Sequence, residues 1–361
     1  MDSPEAQGLD SRRWQLALDL ADDWCRRELI PAMGLVVGRS DRTTGVRLSG
    51  RHRVESASPP VREDAIFLIA SITKPMTATG MMVLADRGEL KLEDSVSKFI
   101  PEFTEGDRKL ITIEDILSHS SGLPDQLPEN IELRQRHAPI EEFIERAIKT
   151  PLLFKPGSEV KYQSMGLLLA SEVAQRITKQ PFRDFLKENV FDPLDMRRTA
   201  LGVGDVPLEE LVEGAPSQVE HAPALYGGGD NSSWDWNSLY WRDLGAPWGG
   251  AHSTGPDLSK LLAYFLAPDD RVLKPSTARS MLTNHNQGLN RPWGIGFSVE
   301  PGSFGKGCSA KTFGHSGSTG TLFWADPETN MTCVILTTLP ARISREPLIN
   351  PVSDFVSEAA A

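Results

Sequence analysis

The sequence predicts an α+β fold in which an antiparallel sheet is flanked by helices and interrupted by an inserted, mainly helical domain. Extended runs occur before Ser71 and again near the C-terminus, whereas helical spacing dominates the stretch between them. The length of 361 residues exceeds the ~250–300 residues at which single cores stop growing. We therefore expect residues 1–75 and 205–361 to form the sheet domain and residues 76–204 the helical one, with the functional site in the cleft between them.

The first element is predicted to be an amphipathic helix from Ser11 to Leu29, because its apolar residues recur at helical spacing and Pro31 ends it. Three extended runs follow, separated by polar or proline-bearing stretches. They are predicted to be strands of the antiparallel sheet, and they read AMGLVVG (32–38), TTGVRLSG (43–50) and DAIFLIA (64–70).

The stretch from Ser71 to about Ala200 is predicted to be mainly helical, because its apolar residues are spaced helically and several segments are bounded by Gly or Pro. These segments are SITKPMTATGMMVLADRGEL, IEEFIERAIK, QSMGLLLASEVAQRIT and PFRDFLKENVF. One more helix is predicted in PDLSKLLAYFLA. The sheet is predicted to resume in WGIGFSV, TLFWAD and MTCVILTT, which are rich in β-branched and aromatic residues.

Charge and composition argue against several function classes. The formal net charge is −11 and the Lys and Arg residues are scattered, so no nucleic-acid partner is expected. The charged start lacks the apolar region of a signal peptide and no run of about 18 apolar residues occurs. We therefore expect no membrane partner and a cytoplasmic protein, or a periplasmic or secreted one if a signal peptide has been removed. The three cysteines and seven histidines form no ligand pattern, so neither a metal nor another cofactor is expected.

Four tetrapeptides fit the pattern S-x-x-K, in which a lysine three residues after a serine can activate the serine hydroxyl. Only the first follows an apolar run and leads into a long helical segment, which makes its serine the candidate nucleophile. The four begin at Ser71, Ser95, Ser158 and Ser303.

Pro75 places the start of the helix close to Ser71, because proline is tolerated in a helix mainly within the first turn. Residues three apart on a helix are neighbours, so the Lys74 amine can approach the Ser71 oxygen. A lysine in a desolvated cleft has a lowered pKa and can act as a base. The alternative is that Ser71 only caps the helix and that Lys74 is a solvated surface charge.

Two further patterns favour catalysis at Ser71. Of four tyrosines, only Tyr162 is followed two residues later by an amide or hydroxyl residue, Ser164, directly before a predicted helix. Near the C-terminus the glycine-flanked segment FGHSGSTG contains the only H-x-G in the chain, which begins at His315.

In this order, these elements resemble the serine β-lactamases and penicillin-binding proteins, nearest to the class C β-lactamase and its esterase, D-aminopeptidase and acyltransferase relatives. The resemblance extends over most of residues 65–200 and 248–338. It includes ITIEDILSHSSGLP, PGSEVKYQSMGLLLASEVAQRI, NVFDPLDM, GGAHSTGPDLSKLL and FGHSGSTGTLFWADPE. It implies a β-lactamase/transpeptidase-like fold.

The resemblance also implies site roles. Ser71 would attack a carbonyl carbon to form an acyl-enzyme, while Lys74 and Tyr162 would take its proton and pass one to the leaving group. Ser164 would line the site. The backbone N–H groups of Ser71 and Ser318 would form the oxyanion hole, with His315, Ser316 and Gly317 forming the adjoining strand triad.

The chain departs from the β-lactamase pattern at two points. β-Lactamases usually have Tyr-x-Asn and Lys-Thr-Gly, whereas this chain has Ser164 in the first motif and His315-Ser316-Gly317 in the second. Because a permanent cation is missing at 315, we rank β-lactam hydrolysis below ester or amide hydrolysis. His315 either orients groups or transfers protons near neutral pH, or it only satisfies hydrogen bonds.

Two other segments are ambiguous. AHSTG (251–255) comes close to a G-x-S-x-G motif, but capping of the following helix is the favoured interpretation. The stretch 226–248 contains six Tyr and Trp residues beside the glycine triplet 227–229. These aromatics either form one wall of an acyl pocket or pack the loop against the body or a second subunit.

The sequence therefore predicts a serine hydrolase that acts on a small-molecule ester or amide. An acyltransferase that uses the same acyl-enzyme is the nearest alternative. A penicillin-binding or sensing protein without turnover is the alternative from another class.

Overall fold

A computed structural model of the protein describes residues 4–39, 42–204, 206–215 and 233–360. The helices of these ranges are α1 (Ser11–Arg26), α2 (Thr73–Asp86), α3 (Ile113–Ser118), α4 (Asn130–Gln135), α5 (Ile140–Lys149), α6 (Met165–Thr178), α7 (Phe182–Leu186), α8 (Leu239–Leu244), α9 (Gly255–Leu266), α10 (Pro275–Met281), α11 (Ala341–Ser344) and α12 (Asn350–Ala359). The strands are β1 (Ala32–Arg39), β2 (Arg42–Thr43), β3 (Arg47–Gly50), β4 (Phe67–Leu68), β5 (Ala200–Leu201), β6 (Ala251–Ser253), β7 (Phe313–Gly317), β8 (Thr321–Asp326) and β9 (Met331–Thr337).

The main sheet is antiparallel and joins the two ends of the chain. Its strand order is β2-β1-β9-β8-β7, and β3 also pairs with β1. Strand β1 is buried along nearly its whole length because helices cover both faces of the sheet. Met33, Leu35 and Val37 pack in a cluster with apolar residues of α1 and α12, whereas Ala32 and Val36 face the cluster that contains α9. This alternation follows from the period of two in a strand.

Helix α2 lies at the centre of the helical region. It is buried along most of its length and packs against α6 and α7. A helix that is apolar on all sides is stable only when other elements surround it. The apolar cluster around α2 is continuous with Val36 and Val334 of the sheet. The N-terminal end of α2, with Ser71 just before it, therefore lies where the helices meet the sheet.

The predicted α+β fold is confirmed, but two predicted strands are wrong. The run 64–70 contributes only Phe67–Leu68, which pairs with β6 in a separate sheet ordered β4-β6-β5. The run 293–299 forms no strand; only Ser298 makes an isolated bridge, to Gly314.

The run 293–299 fails as a strand because its glycines form a turn against α2. Gly296 has a φ of +77° and faces the Ala78 side chain, and the Gly294 N–H donates to the Phe297 carbonyl at 2.9 Å. Its apolar alternation reflects burial of Trp293, Ile295 and Phe297 rather than strand pairing.

The other predicted elements differ mainly at their ends. The run 43–50 is divided between β2 and β3, and α2 starts two residues after Ser71. The domain division at residues 75 and 204 stays a prediction. Within the described ranges, no helix is long and apolar enough to span a bilayer.

Candidate active site

Ser71 lies in a tight helical turn, Ala70–Ile72, that leads from β4 into α2. The residue before it, Ala70, has a φ of +46°, a conformation that costs an L-residue roughly 1–2 kcal/mol. The surrounding structure holds this turn in place, since the Thr73 hydroxyl donates to the Ala70 carbonyl at 2.6 Å and the Ile69 N–H donates to the Ala251 carbonyl at 3.0 Å. The turn leaves the Ser71 side chain partly exposed at the end of a buried helix.

The Lys74 amine reaches Ser71 as the sequence predicted. Its Nζ donates to Ser71 Oγ at 3.1 Å and to the Trp248 carbonyl oxygen at 2.8 Å. Lys74 is 0% exposed, and this burial lowers its pKa from the usual value of 10.5 to about 7, although the negative charge of Asp125 opposes the shift. A substantial part of the lysine is therefore the neutral amine at neutral pH, which is the form that can accept a proton.

Tyr162 lies beside the same pair, two residues before the cap of α6. The Lys74 Nζ is 4.7 Å from the centroid of the Tyr162 ring. Burial raises the pKa of Tyr162 above its usual value, Asp125 raises it further, and interaction with the Ser71 hydroxyl lowers it. The phenol is therefore protonated at neutral pH. It can donate a proton or relay one, but it is not present as a phenolate that could act as a base.

Strand β7 packs beside the turn at Ser71, and the residues that follow β7 are hydrogen-bonded to the segment before Ser71. The Thr319 hydroxyl donates to the Leu68 carbonyl at 2.8 Å, and the Thr321 hydroxyl donates to the Ile69 carbonyl at 3.0 Å. Ser71 and Ser318 line the same cavities. The oxyanion hole that the resemblance implies stays a prediction, and its two residues line the same space.

His315 is buried in a group of four rings with His119, Tyr162 and Trp293. Its centroid is 5.9 Å from that of Tyr162 and 5.8 Å from that of Trp293. Burial lowers the pKa of His315 from 6.5 to about 3, with a contribution from Lys74. The ring is therefore neutral near pH 7, and its Nδ1 lies 2.7 Å from the Ser316 carbonyl oxygen. This favours a hydrogen-bonding and packing role over proton transfer near neutral pH.

Two cavities meet at Ser71. Ser71, Tyr162 and Ser318 line both of them, so a carbonyl at Ser71 could extend one half of a substrate into each. The first cavity, of about 480 Å³, is lined by His315, Ser316, Gly317 and three arginines, Arg291, Arg342 and Arg345. The second, of about 290 Å³, is lined by Ser164, Asp125, Gln126, Arg134 and three tryptophans, Trp236, Trp241 and Trp248.

A sequence model of the family described as Beta-lactamase matches residues 22–354. The chain belongs to the beta-lactamase family. This confirms the resemblance drawn from the motifs at Ser71, Tyr162 and His315.

Relatives of this beta-lactamase-family chain include named hydrolases. It is 34% identical over 211 residues to esterase EstB of Burkholderia gladioli, a match that covers 54% of this chain and 53% of EstB. The match therefore spans about half the length of EstB. The chain is 27% identical over 400 aligned residues to a putative D-alanyl-D-alanine carboxypeptidase of Salmonella schwarzengrund, covering 98% of this chain and 89% of the relative.

A solved structure with the same fold is that of EstCE1, which is described as a hydrolase with promiscuous acyltransferase activity. It superposes with a TM-score of 0.79 at 22% identity and covers 98% of this chain and 100% of its own. At that identity the likeness establishes the fold alone.

None of the charged residues that line the two cavities of this beta-lactamase-family site was predicted from the sequence, and two of them bond to predicted site residues. Asp125 accepts a hydrogen bond from Ser164 Oγ at 2.6 Å, and Arg345 donates to Ser316 Oγ at 3.3 Å. Asp125 follows the turn SSGLP, and Arg345 begins a π-helical turn between α11 and α12. Neither belongs to a local pattern that signals chemistry, because the fold alone brings them to Ser71.

The aromatic stretch contributes directly to the second cavity. Trp236, Trp241 and Trp248 line it, while Tyr240 stacks on His137 away from it. Trp234 lies against the guanidinium of Arg134, with 5.0 Å between the guanidinium carbon and the ring centroid. Tyr226 and the glycine triplet 227–229 lie outside the described residues.

The remaining serine motifs have local structural roles. Thr254 caps α9 by accepting a hydrogen bond from the Asp257 N–H, and Ser253 bonds to Thr199, so AHSTG is built into the fold. Ser95 caps the turn that follows it. Lys306 of the Ser303 tetrapeptide pairs with Asp354 on the surface at 2.7 Å, although Ser303 itself lines the first cavity.

Proposed function

We propose that the protein is a serine hydrolase that forms an acyl-enzyme at Ser71, with esters of small molecules as its main substrates. The observation that carries this proposal is the buried Lys74 amine, 3.1 Å from Ser71 Oγ, with a pKa of about 7. Such a lysine is neutral often enough to accept the serine proton and basic enough to hold it. A capping serine beside a solvated lysine would have neither property.

In the proposed reaction, Ser71 Oγ attacks the ester carbonyl carbon as its proton moves to the Lys74 amine. The carbonyl oxygen becomes an oxyanion facing the backbone N–H groups of Ser71 and Ser318. The C–O bond to the leaving alcohol then breaks, and a proton passes to that oxygen through Lys74 and Tyr162. Water repeats the sequence on the acyl-enzyme, which releases the carboxylic acid and regenerates Ser71.

The name of the relative EstB and the neutral ring of His315 support esters as the main substrate. A neutral His315 itself provides no cation for the carboxylate of a β-lactam, and the cation beside β7 is instead Arg345, which donates to Ser316 Oγ. Ester hydrolysis has no requirement for such a cation, and an alcohol leaves more readily than an amine.

The test of this proposal is the hydrolysis of p-nitrophenyl acetate and p-nitrophenyl butyrate by the wild type, Ser71→Ala and Ser303→Ala. Ser303 is the matched control, because it also lines the first cavity and also begins an S-x-x-K tetrapeptide. We expect Ser71→Ala to lose at least about 10³-fold in kcat/KM and Ser303→Ala to remain within a few-fold of wild type. Equal activity of the wild type and Ser71→Ala would reject the proposal.

A second candidate function, hydrolysis of amides whose leaving group carries a carboxylate, is favoured by the first cavity. Arg345 lines it beside Ser316, and among the described residues no carboxylate lies within ion-pair distance of Arg345. Arg291 lines the same wall, but its charge is offset by Glu300, with which it pairs at 2.5 Å. The relative named a putative D-alanyl-D-alanine carboxypeptidase fits this chemistry.

Acyl transfer uses the same acyl-enzyme and differs only in what attacks it. Product analysis in water with added benzyl alcohol distinguishes the two, because a hydrolase gives mainly the free acid while a transferase gives the benzyl ester. A sensing protein would give a stable acyl adduct on Ser71 with no second turnover.

A further inference from the structure

Asp125 places a carboxylate in the second cavity, next to the groups that would react. It follows α3 in a loop, is partly exposed, and lines this cavity together with Ser71 and Tyr162. One oxygen, Oδ1, accepts a hydrogen bond from Ser164 Oγ at 2.6 Å. Because a carboxylate can accept about four hydrogen bonds, the contact with Ser164 leaves most of this capacity open to the cavity.

No cation of the described residues lies within ion-pair distance of Asp125. Lys74 is occupied by Ser71 Oγ and the Trp248 carbonyl. The other cation of the cavity wall, Arg134, is held between Trp234 and Trp241, with its guanidinium carbon 4.0 Å from the centroid of the Trp241 ring and its Nη2 donating to the Trp234 carbonyl at 3.1 Å. Asp125 is therefore an unpaired anion at the edge of an aromatic-walled cavity.

Asp125 also affects the pKa values of the groups that are proposed to react. It is the one charged residue among those described that contributes to the pKa shifts of both Lys74 and Tyr162. A positive group bound in this cavity would lie in the field of the Asp125 carboxylate. The chemistry of the wall thus fits an ammonium group.

The acyl half of a substrate fits this second cavity better than the leaving group does. At about 290 Å³ it is smaller than the first cavity, of about 480 Å³. The leaving group must depart and water must enter before the second half-reaction, which the larger cavity permits. The acyl group stays attached to Ser71 throughout and can remain in the smaller one.

We propose that Asp125 binds a protonated amine on the acyl group, so that the preferred substrates are esters and amides of amino-bearing carboxylic acids. This inference rests on the proposed acyl-enzyme at Ser71 and adds a substrate class to it. Because Asp125 lines the same cavity as Ser71, an amine on the acyl group can lie near this carboxylate while the carbonyl carbon is at Ser71.

The test compares two benzyl esters of nearly equal shape at pH 6.5. Alanine benzyl ester, as each enantiomer, carries an ammonium where the benzyl ester of 2-methylpropanoic acid carries a methyl group. The amine is protonated at this pH because α-amino groups have pKa values of about 7.7–8.0. The quantity measured is the ratio of kcat/KM for the better alanine enantiomer to kcat/KM for the 2-methylpropanoate.

We expect a ratio of at least about ten in the wild type, because a charge-assisted hydrogen bond from the ammonium to Asp125 would contribute at least that much. Because the α-ammonium also activates the ester carbonyl inductively, the readout is the change in this ratio: Asp125→Asn is expected to lower it at least about tenfold, and Asp125→Glu, which keeps the charge, to lower it less. Glu129→Gln removes a negative charge from the same loop outside the cavity wall and should leave the ratio unchanged. Thermal melts of each variant establish that it is folded.

A wild-type ratio near one, or a high ratio that survives in Asp125→Asn, would overturn the inference. Equal loss on both esters in Asp125→Asn, with the ratio unchanged, would mean that Asp125 acts only by positioning Ser164 and Lys74. A preference for 2-aminoethyl acetate over propyl acetate would place the amine in the leaving group instead. Ser71-dependent hydrolysis of the 2-methylpropanoate without any preference would reject this inference alone, whereas failure to cleave either ester would reject the proposed function.

Discussion

Lys74 Nζ donates a hydrogen bond of 3.1 Å to Ser71 Oγ from a position with no solvent exposure. The second bond of this amine, to the Trp248 carbonyl at 2.8 Å, fixes it from the other side. A buried ammonium at this position has lost its hydrating water and gained only two hydrogen-bond acceptors. The charged form of Lys74 is therefore destabilised relative to the neutral amine. The burial that holds the lysine in place also lowers its pKa to about 7, so that the neutral amine is present near neutral pH.

The pH dependence of kcat/KM should report the ionisation of Lys74. Because burial lowers its pKa to about 7, the reactive neutral form is lost as the pH falls below 7. We expect kcat/KM for p-nitrophenyl acetate to fall tenfold per pH unit on the acid side and to level off above the midpoint. His315, with a pKa of about 3, should add no inflection between pH 5 and 9. A flat profile over this range would contradict the role given to Lys74.

Replacing Asp125 should move that midpoint. A nearby negative charge raises the pKa of Lys74, so its removal in Asp125→Asn should lower the pKa and shift the acid limb of the profile to lower pH. Glu129→Gln should leave the midpoint where it is. An upward shift in Asp125→Asn would contradict the electrostatic account.

Tyr162→Phe should distinguish the contribution of the Tyr162 hydroxyl from that of its ring. The ring contact with Lys74 at 4.7 Å and the packing on His119 are preserved, while the hydroxyl is lost. We expect kcat to fall by about 10²–10⁴-fold with little change in the melting temperature. If kcat stayed within threefold of wild type, the tyrosine would have no part in proton transfer.

Gly317 should not tolerate a side chain. A Cβ at this position would lie 2.5 Å from the Ile69 carbonyl oxygen and would also overlap the Thr321 hydroxyl. Gly317→Ala must therefore push β7 away from the turn at Ser71, and we expect a loss of about 1–3 kcal/mol in the free energy of unfolding together with lower kcat. Gly302→Ala adds a Cβ that meets open space at a φ of +78°, so as a control it should lose about 1–2 kcal/mol through backbone strain but keep kcat. Urea denaturation and steady-state kinetics check both outcomes.

Arg345 should discriminate between leaving groups. Its guanidinium lines the first cavity beside Ser316, so it should attract an anionic leaving group. We expect Arg345→Gln to lower the ratio of kcat/KM for 3-carboxyphenyl acetate to that for 3-carbamoylphenyl acetate by about tenfold. Arg271→Gln, which alters an exposed surface arginine, should not change this ratio. An unchanged ratio in Arg345→Gln would remove the support for the second candidate function.

The sequence predicted the long, regular elements well, because their hydrophobic period is local. The segment IEEFIERAIK is α5 from its first residue to its last. Pro75 correctly indicated a helix start close to Ser71, although a tight turn at Ala70–Ile72 precedes α2. The run 293–299 was misassigned because burial in an irregular turn produces the same apolar alternation as a strand.

Only the site residues that belong to a sequence motif could be predicted. Ser71, Lys74 and Tyr162 belong to spaced patterns, and the structure brings the three together, while their catalytic roles stay predictions. Asp125 and Arg345 come from loops and turns that are distant in sequence, so no periodicity or spacing could identify them. The sequence showed that the stretch 226–248 is rich in aromatic residues. Which of these residues line the cavity and which pack the loop depends on tertiary structure, so the sequence could not predict it.

The most direct test of the central claim is the intact mass of the protein after treatment with a fluorophosphonate probe, for the wild type and Ser71→Ala. A single phosphonyl adduct on the wild type, mapped by peptide digestion to Ser71, and no adduct on Ser71→Ala are expected. The same adduct on Ser71→Ala, or a wild-type adduct mapped to Ser303 or another residue, would contradict the assignment of Ser71 as the nucleophile.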